Sequence, residues 1–135
     1  GVQTCALPIC LRLYRQYDRD AEVSEWVEGL YDRCDQLMEG LRKIFRDTNL
    51  PAHVVGMGPI LQVWFSDSAI HNYRDAARHC DHDMFRKWWE GNLNRGVMFH
   101  PGAYENLFVS FAHSTDDIDQ TLAVARDVVR EMVAG

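Results

Sequence analysis

The chain has 135 residues, 47% of them hydrophobic and 25% charged, which suits one folded domain and excludes a chain that is disordered throughout. Its formal net charge of −6, from 20 acidic and 14 basic residues, offers no electrostatic footprint for nucleic acid or an anionic membrane. No apolar run approaches the roughly 20 residues of a membrane-spanning helix, and no basic stretch precedes an apolar one at the N-terminus, so neither membrane insertion nor secretion is expected.

In chain order, Gly1-Val2-Gln3-Thr4-Cys5-Ala6-Leu7-Pro8-Ile9 resembles the translation of a sequencing-adapter oligonucleotide. Residues 1–10 are therefore expected to be foreign, with the native chain starting in mid-protein near Cys10 or Leu11. That leaves Cys34 and Cys80 as the secure thiols, too few for a disulfide framework, so a reducing cytoplasm is expected.

Leu13 to Phe45 reads as helix. Val23, Val27, Leu30, Cys34, Leu37, Leu41 and Ile44 recur at alternating steps of four and three, which sets them on one face. Asp18 or Asp20 offers a second cap inside this stretch. Asp47-Thr48-Asn49 and Pro51 end the run. Val54-Val55 and Ile60 to Phe65 read as two short strands around a Gly56-Met57-Gly58-Pro59 turn. With Leu61, Val63 and Phe65 on one face and Ile60, Gln62 and Trp64 on the other, cover on both sides is expected.

Ser66-Asp67-Ser68 is expected to open a helix running through Ile70, Tyr73 and Ala77. Asp83 to Asn94 predicts another, with Phe85, Trp88, Trp89 and Leu93 inward and Gly96 at its C-terminal end. Val97-Met98-Phe99 and Leu107 to Ala112 read as strands. Ser114 caps a last helix, with Asp117 completing a capping-box variant and Ile118, Leu122, Ala125, Val129 and Met132 as the buried stripe. The plan is α+β: a long helix, then a small antiparallel sheet packed with helices. By this division residues 11–50 form the leading helix and 51–135 a small C-terminal domain.

Few residues carry obvious chemistry. His71, His79, Cys80 and His82 lack the spacing of a metal site and read as a helix-surface cluster, so no metal is expected. No nucleophile elbow or phosphate-binding glycine loop is present. Trp88-Trp89 reads as a core or interface anchor. Glu105 stands out, as a carboxylate among aromatics in a loop between two predicted strands, although spacing alone leaves a solvated loop glutamate open.

Gly96-Val97-Met98-Phe99-His100-Pro101, Ala103-Tyr104-Glu105, Phe108-Val109-Ser110-Phe111-Ala112-His113-Ser114 and Asp116-Asp117-Ile118-Asp119-Gln120-Thr121-Leu122 resemble the C-terminal end of glutamate-1-semialdehyde 2,1-aminomutases. These are class III aminotransferases of fold-type I, and the likeness covers nearly all of residues 11–135. It implies a pyridoxal 5'-phosphate enzyme, usually homodimeric, that moves an amino group on an amino acid substrate. It also implies that the large domain carrying the Schiff-base lysine is missing here. Lys43 and Lys87 are the chain's lysines and neither matches the family's cofactor lysine. No cofactor-binding residue is therefore expected in this fragment, which alone should be inactive. The resemblance makes Glu105 a catalytic, substrate-side carboxylate. Many other class III aminotransferases hold a carboxylate-clamping arginine in this region, and here none lies between Gly96 and Ser114. Asn106-Leu107 and His100-Pro101-Gly102 differ from the usual aminomutase pattern. A class III transaminase for another amino acid or amine, a non-catalytic dimerisation module and a small histidine metal protein are the competing readings. Trp64, Phe65, Trp88 and Trp89 are expected to face the missing large domain.

Overall fold

The computed structural model describes residues 21–134. The adapter-like segment, Cys5, Cys10, the helix start at Leu13 and the caps at Asp18 and Asp20 lie outside the described residues. The elements are α1 (Ala21–Asp47), β1 (Ala52–Met57), β2 (Ile60–Phe65), α2 (Tyr73–His79), α3 (His82–Leu93), β3 (Leu107–Phe108) and α4 (Thr115–Ala134). The α+β plan with a small antiparallel sheet holds.

The stripe on α1 is buried where its period places it: Leu30, Cys34, Leu37, Leu41 and Ile44, joined by Met38 and Phe45. Burial pushes the Cys34 thiol above its ordinary value, and the neighbouring Asp35 carboxylate adds to this, so Cys34 is a small core residue. The helix closes through Leu50 N–H to the Phe45 carbonyl at 3.0 Å and Asn49 at φ 54°, the left-handed residue that commonly ends helices. Pro51 then forbids continuation.

The sheet order is β1-β2-β3, antiparallel throughout. Gly56 and Met57 belong to β1, pairing with Leu61 and Ile60, so the turn is tighter than expected and centres on Gly58-Pro59. Leu61, Val63 and Phe65 face the core, where the Phe65 ring meets Phe45 at 5.5 Å and Trp88 at 5.9 Å. On the other face Gln62 is buried, Trp64 is half-buried and Ile60 is exposed. Cover there is thus partial, and it comes from the loop around Ala103 and Tyr104.

Four expectations change. Ser66 to Asn72 is not helical: the Ser66 hydroxyl accepts from Ser68 N–H at 3.0 Å and donates to the Ser68 carbonyl at 2.9 Å. This local turn competes with a helix. Helix α2 starts only after Asn72, whose side chain accepts from the backbone of Arg74 and Asp75. Val97-Met98-Phe99 is not a strand, because the free edge of β2 is taken by β3. The predicted strand over Leu107–Ala112 shortens to Leu107–Phe108, since Ser110 turns back on His113. On α3 the buried positions are Phe85, Trp88 and Asn92, and Leu93 is exposed.

Helix α4 keeps Ile118, Ala125 and Val129 buried as expected, adds Val128, and leaves Leu122 and Met132 half-buried. It packs against both α1 and α3. The tryptophan expectation needs correcting too. Trp88 and Phe65 are core residues, 0% and 1% exposed, so they are unavailable to another domain. Only Trp64 and Trp89 keep partial exposure. Among the described residues no helix is long and apolar enough to cross a membrane.

Candidate functional site

A cleft of about 630 Å³ opens between the 96–101 loop, β3 and the start of α4. Each wall follows from local sequence. Gly96, at φ 84°, ends α3 with its N–H on the Leu93 carbonyl at 3.0 Å and sends the chain outward. The loop is then fastened by side chains reaching backbone carbonyls. Trp89 Nε1 donates to Phe99 O at 2.9 Å, and Gln62 Nε2 donates to Ala103 O. His100 Nδ1 accepts the Gly102 N–H at 3.0 Å. Phe99 also stacks on Trp88 at 4.6 Å and 11°.

Glu105 lies on this wall, exposed and lining the cleft, with its N–H bonded to Gly102 O at 3.1 Å. Its neighbour Tyr104 is turned toward the outer face of the sheet. There it meets Trp64 at 5.9 Å, Tyr73 at 5.5 Å and His82 at 5.1 Å. Partial desolvation pushes its phenol above the ordinary value, with smaller contributions from Tyr73 and Cys80.

The cleft is also lined by His113 and Asp117, which the sequence marked only as motif and cap. His113 Nδ1 accepts the Ser110 N–H at 3.0 Å and lies 2.9 Å from Ser110 Oγ, so in the neutral ring the proton sits on Nε2. The Asp117 carboxylate accepts from Ser114 Oγ and Ser114 N–H, both at 2.7 Å, while Asp117 N–H reaches Ser114 Oγ at 3.2 Å. This reciprocal cap holds the Asp117 carboxyl below its ordinary value, mainly through the hydroxyl bond. A lowered native value contributes stability above the usual carboxylate range, lost as pH falls through that native value. Acid is thus expected to fray the first turn of α4 only below about pH 4, and Ser114→Ala to lower Tm by roughly 4 °C. Thermal melts across pH check both.

Among the described residues no lysine or arginine lines the cleft. The two carboxylates, beside His100 and His113, make it a wall that suits a ligand bearing an amino or ammonium group, with Met98 and Phe108 supplying apolar surface. The chain's two lysines stand elsewhere. Lys43 is exposed and pairs with Asp47 at 2.6 Å, and Lys87 is exposed on α3. A lysine that links a cofactor needs a desolvated place beside it. Neither side chain has one, so the described residues do not by themselves fit pyridoxal phosphate. Of the histidine cluster, His82 bonds Tyr104 OH at 3.2 Å while His71 and His79 are exposed. Among the described residues no three His, Cys, Asp or Glu side chains gather as metal ligands would.

No protein-family model matches the chain. It is 34% identical over 100 residues to a glutamate-1-semialdehyde 2,1-aminomutase of Syntrophus aciditrophicus, covering 74% of this chain and 23% of that protein. The solved glutamate-1-semialdehyde-aminomutase of Pseudomonas aeruginosa PAO1, a variant of which is in complex with PMP, superposes with a TM-score of 0.70 at 23% identity. That match covers 78% of this chain and 23% of the other. An omega-transaminase from Sphaerobacter thermophilus gives a TM-score of 0.71 at 16% identity over 82% of this chain and 25% of its own. The chain thus spans about a quarter of the length of these relatives. In sequence the chain is thus similar to the C-terminal part of glutamate-1-semialdehyde 2,1-aminomutases, and its fold is that of the C-terminal domain of fold-type I aminotransferases.

Proposed function

We propose that the chain serves as the C-terminal part of a pyridoxal 5'-phosphate enzyme that moves an amino group on a small amino acid. In this reading residues 1–10 are foreign, 11–50 lead in from a large domain encoded upstream, and 51–135 form the small domain. The large domain supplies the cofactor lysine, the parent is a cytoplasmic homodimer, and this portion alone is inactive. The cofactor supplies the electron sink for amino-group transfer. This chain supplies one wall of the substrate space.

The observation that carries the reading is the position of Glu105 on a cleft that, among the described residues, no lysine or arginine lines, in a chain similar to aminomutases over most of its length. A carboxylate there accepts charge-assisted hydrogen bonds from a substrate's ammonium group and holds that group in place. Glu105→Gln in the intact parent enzyme is expected to lower kcat/KM by roughly 10–100-fold, the loss expected on neutralising one side of a charged hydrogen bond. Unchanged kinetics would remove Glu105 from the mechanism.

The apolar contribution of Met98 and Phe108 to the wall favours a second reading, a class III transaminase acting on another amino acid or amine. The two separate by co-substrate. An aminomutase converts glutamate-1-semialdehyde without an external amino acceptor, whereas a transaminase requires one.

A further inference from the structure

Tyr104 and Glu105 are consecutive residues whose side chains serve different faces. Glu105 lines the cleft, and Tyr104 lies among three rings on the outer face of the sheet. We propose that Tyr104 is a positioning residue, which sets the direction of the Glu105 carboxylate through its contacts with His82, Trp64 and Tyr73. The inference depends on the reading of Glu105 as the substrate-side group.

The backbone between Asn94 and Asn106 has no ladder to hold it. Its conformation near Glu105 is set by the Gly102–Glu105 turn, the Gln62 bond to Ala103 O and the seating of Tyr104. The first two leave the orientation of residues 104 and 105 dependent on the third, because rotation about that stretch of chain swings both side chains together. The tyrosine resists it in two ways. Its ring packs against Trp64 from β2, Tyr73 from α2 and His82 from α3, with centroids 5.9, 5.5 and 5.1 Å away. Its hydroxyl lies 3.2 Å from His82 Nε2, at the first residue of α3. Three separate elements therefore converge on one ring, and the adjoining carboxylate inherits their rigidity.

A double-mutant cycle in the intact, cofactor-loaded parent enzyme tests this. Tyr104→Ala should lower kcat/KM roughly 30-fold in the parent sequence and less than about twofold in the Glu105→Gln background. Tyr104→Phe keeps the ring and should recover activity to within about fivefold. Hydrogen exchange over residues 102–106 should quicken in Tyr104→Ala, with Tm little changed. Equal losses in both backgrounds, or a loss that follows a fallen Tm, would overturn the positioning role and leave Glu105 standing. An inert Glu105→Gln with a damaging Tyr104→Ala would overturn both this role and the functional reading of Glu105. Should Tyr104→Ala fail to fold, Tyr104→Phe and His82→Ala provide the same cycle on a smaller scale. Additive effects there count equally against the proposal.

Discussion

Trp88→Ala is expected to lower the unfolding free energy by about 3–5 kcal/mol, the range for emptying a buried aromatic site. The indole is fully buried, with Phe65 and Phe85 at 5.9 and 5.8 Å and Phe99 stacked at 4.6 Å. It joins α3 to the sheet and to the cleft loop, so the hole would open where three parts meet and no single one can collapse into it. Against a total of about 5–15 kcal/mol for a domain, such a loss removes most of the margin. Trp88→Phe should cost much less. The Nε1 of Trp88 is buried without a hydrogen-bond partner, and phenylalanine keeps most of the apolar contact while removing that unpaired donor. Urea unfolding followed by circular dichroism measures both, and equal losses for the two variants would contradict the packing argument.

The second large effect is expected at Gly56. A Cβ there would lie 2.5 Å from Ile60 O, 2.6 Å from Met38 Sδ and 3.0 Å from Leu61 Cα. The methionine can swing aside, but the two backbone atoms belong to the paired strand and cannot move without opening the hairpin. Gly56→Ala is therefore expected to destabilise by about 2–3 kcal/mol. Gly40→Ala is the control. The three atoms nearest its Cβ would all belong to the flexible Leu122 side chain, both Cδ at 2.5 Å and Cγ at 3.0 Å. A rotamer change there, together with the roughly 1 kcal/mol helix preference of alanine over glycine, should leave stability nearly unchanged. A Gly56→Ala variant as stable as Gly40→Ala would show that the hairpin yields more readily than the geometry allows.

Elements with a complete local signal were legible from residues alone. Helix α1 has an apolar period sustained from Leu30 to Ile44 and a proline stop at Pro51. Helix α4 has Ser114 and Asp117 bonded as a reciprocal cap. The two strand misreadings share a cause, which is that strand patterns are local while strand pairing is not. Val97, Met98 and Phe99 alternate between half-buried and exposed as a strand would. Their inward turns come instead from Phe99 stacking on Trp88 and from the bond between Trp89 and the Phe99 carbonyl. On the far side of β3, Ser110 gives its N–H to His113 rather than to a neighbouring strand.

The site was legible in the same uneven way. Glu105 was singled out through its loop and its resemblance, and it lines the cleft. Asp117 and His113 entered the cleft unannounced, because a capping motif explains the aspartate completely without reference to any ligand. Tyr104 and His82 are 22 positions apart and belong to different elements, so only the folded chain brings phenol and imidazole together.

The loop beside the cleft is tied down at the Phe99 and Ala103 carbonyls, and a carbonyl oxygen is common to all amino acids. At residue 103 in particular, the tether ignores which side chain is carried. Form and chemistry along this wall are thus written in separate letters: Trp89 and Gln62 hold the contour, while Met98, Glu105 and Phe108 present the exposed lining. Under the proposed function, selection redraws substrate preference at those three places without redesigning the scaffold behind them.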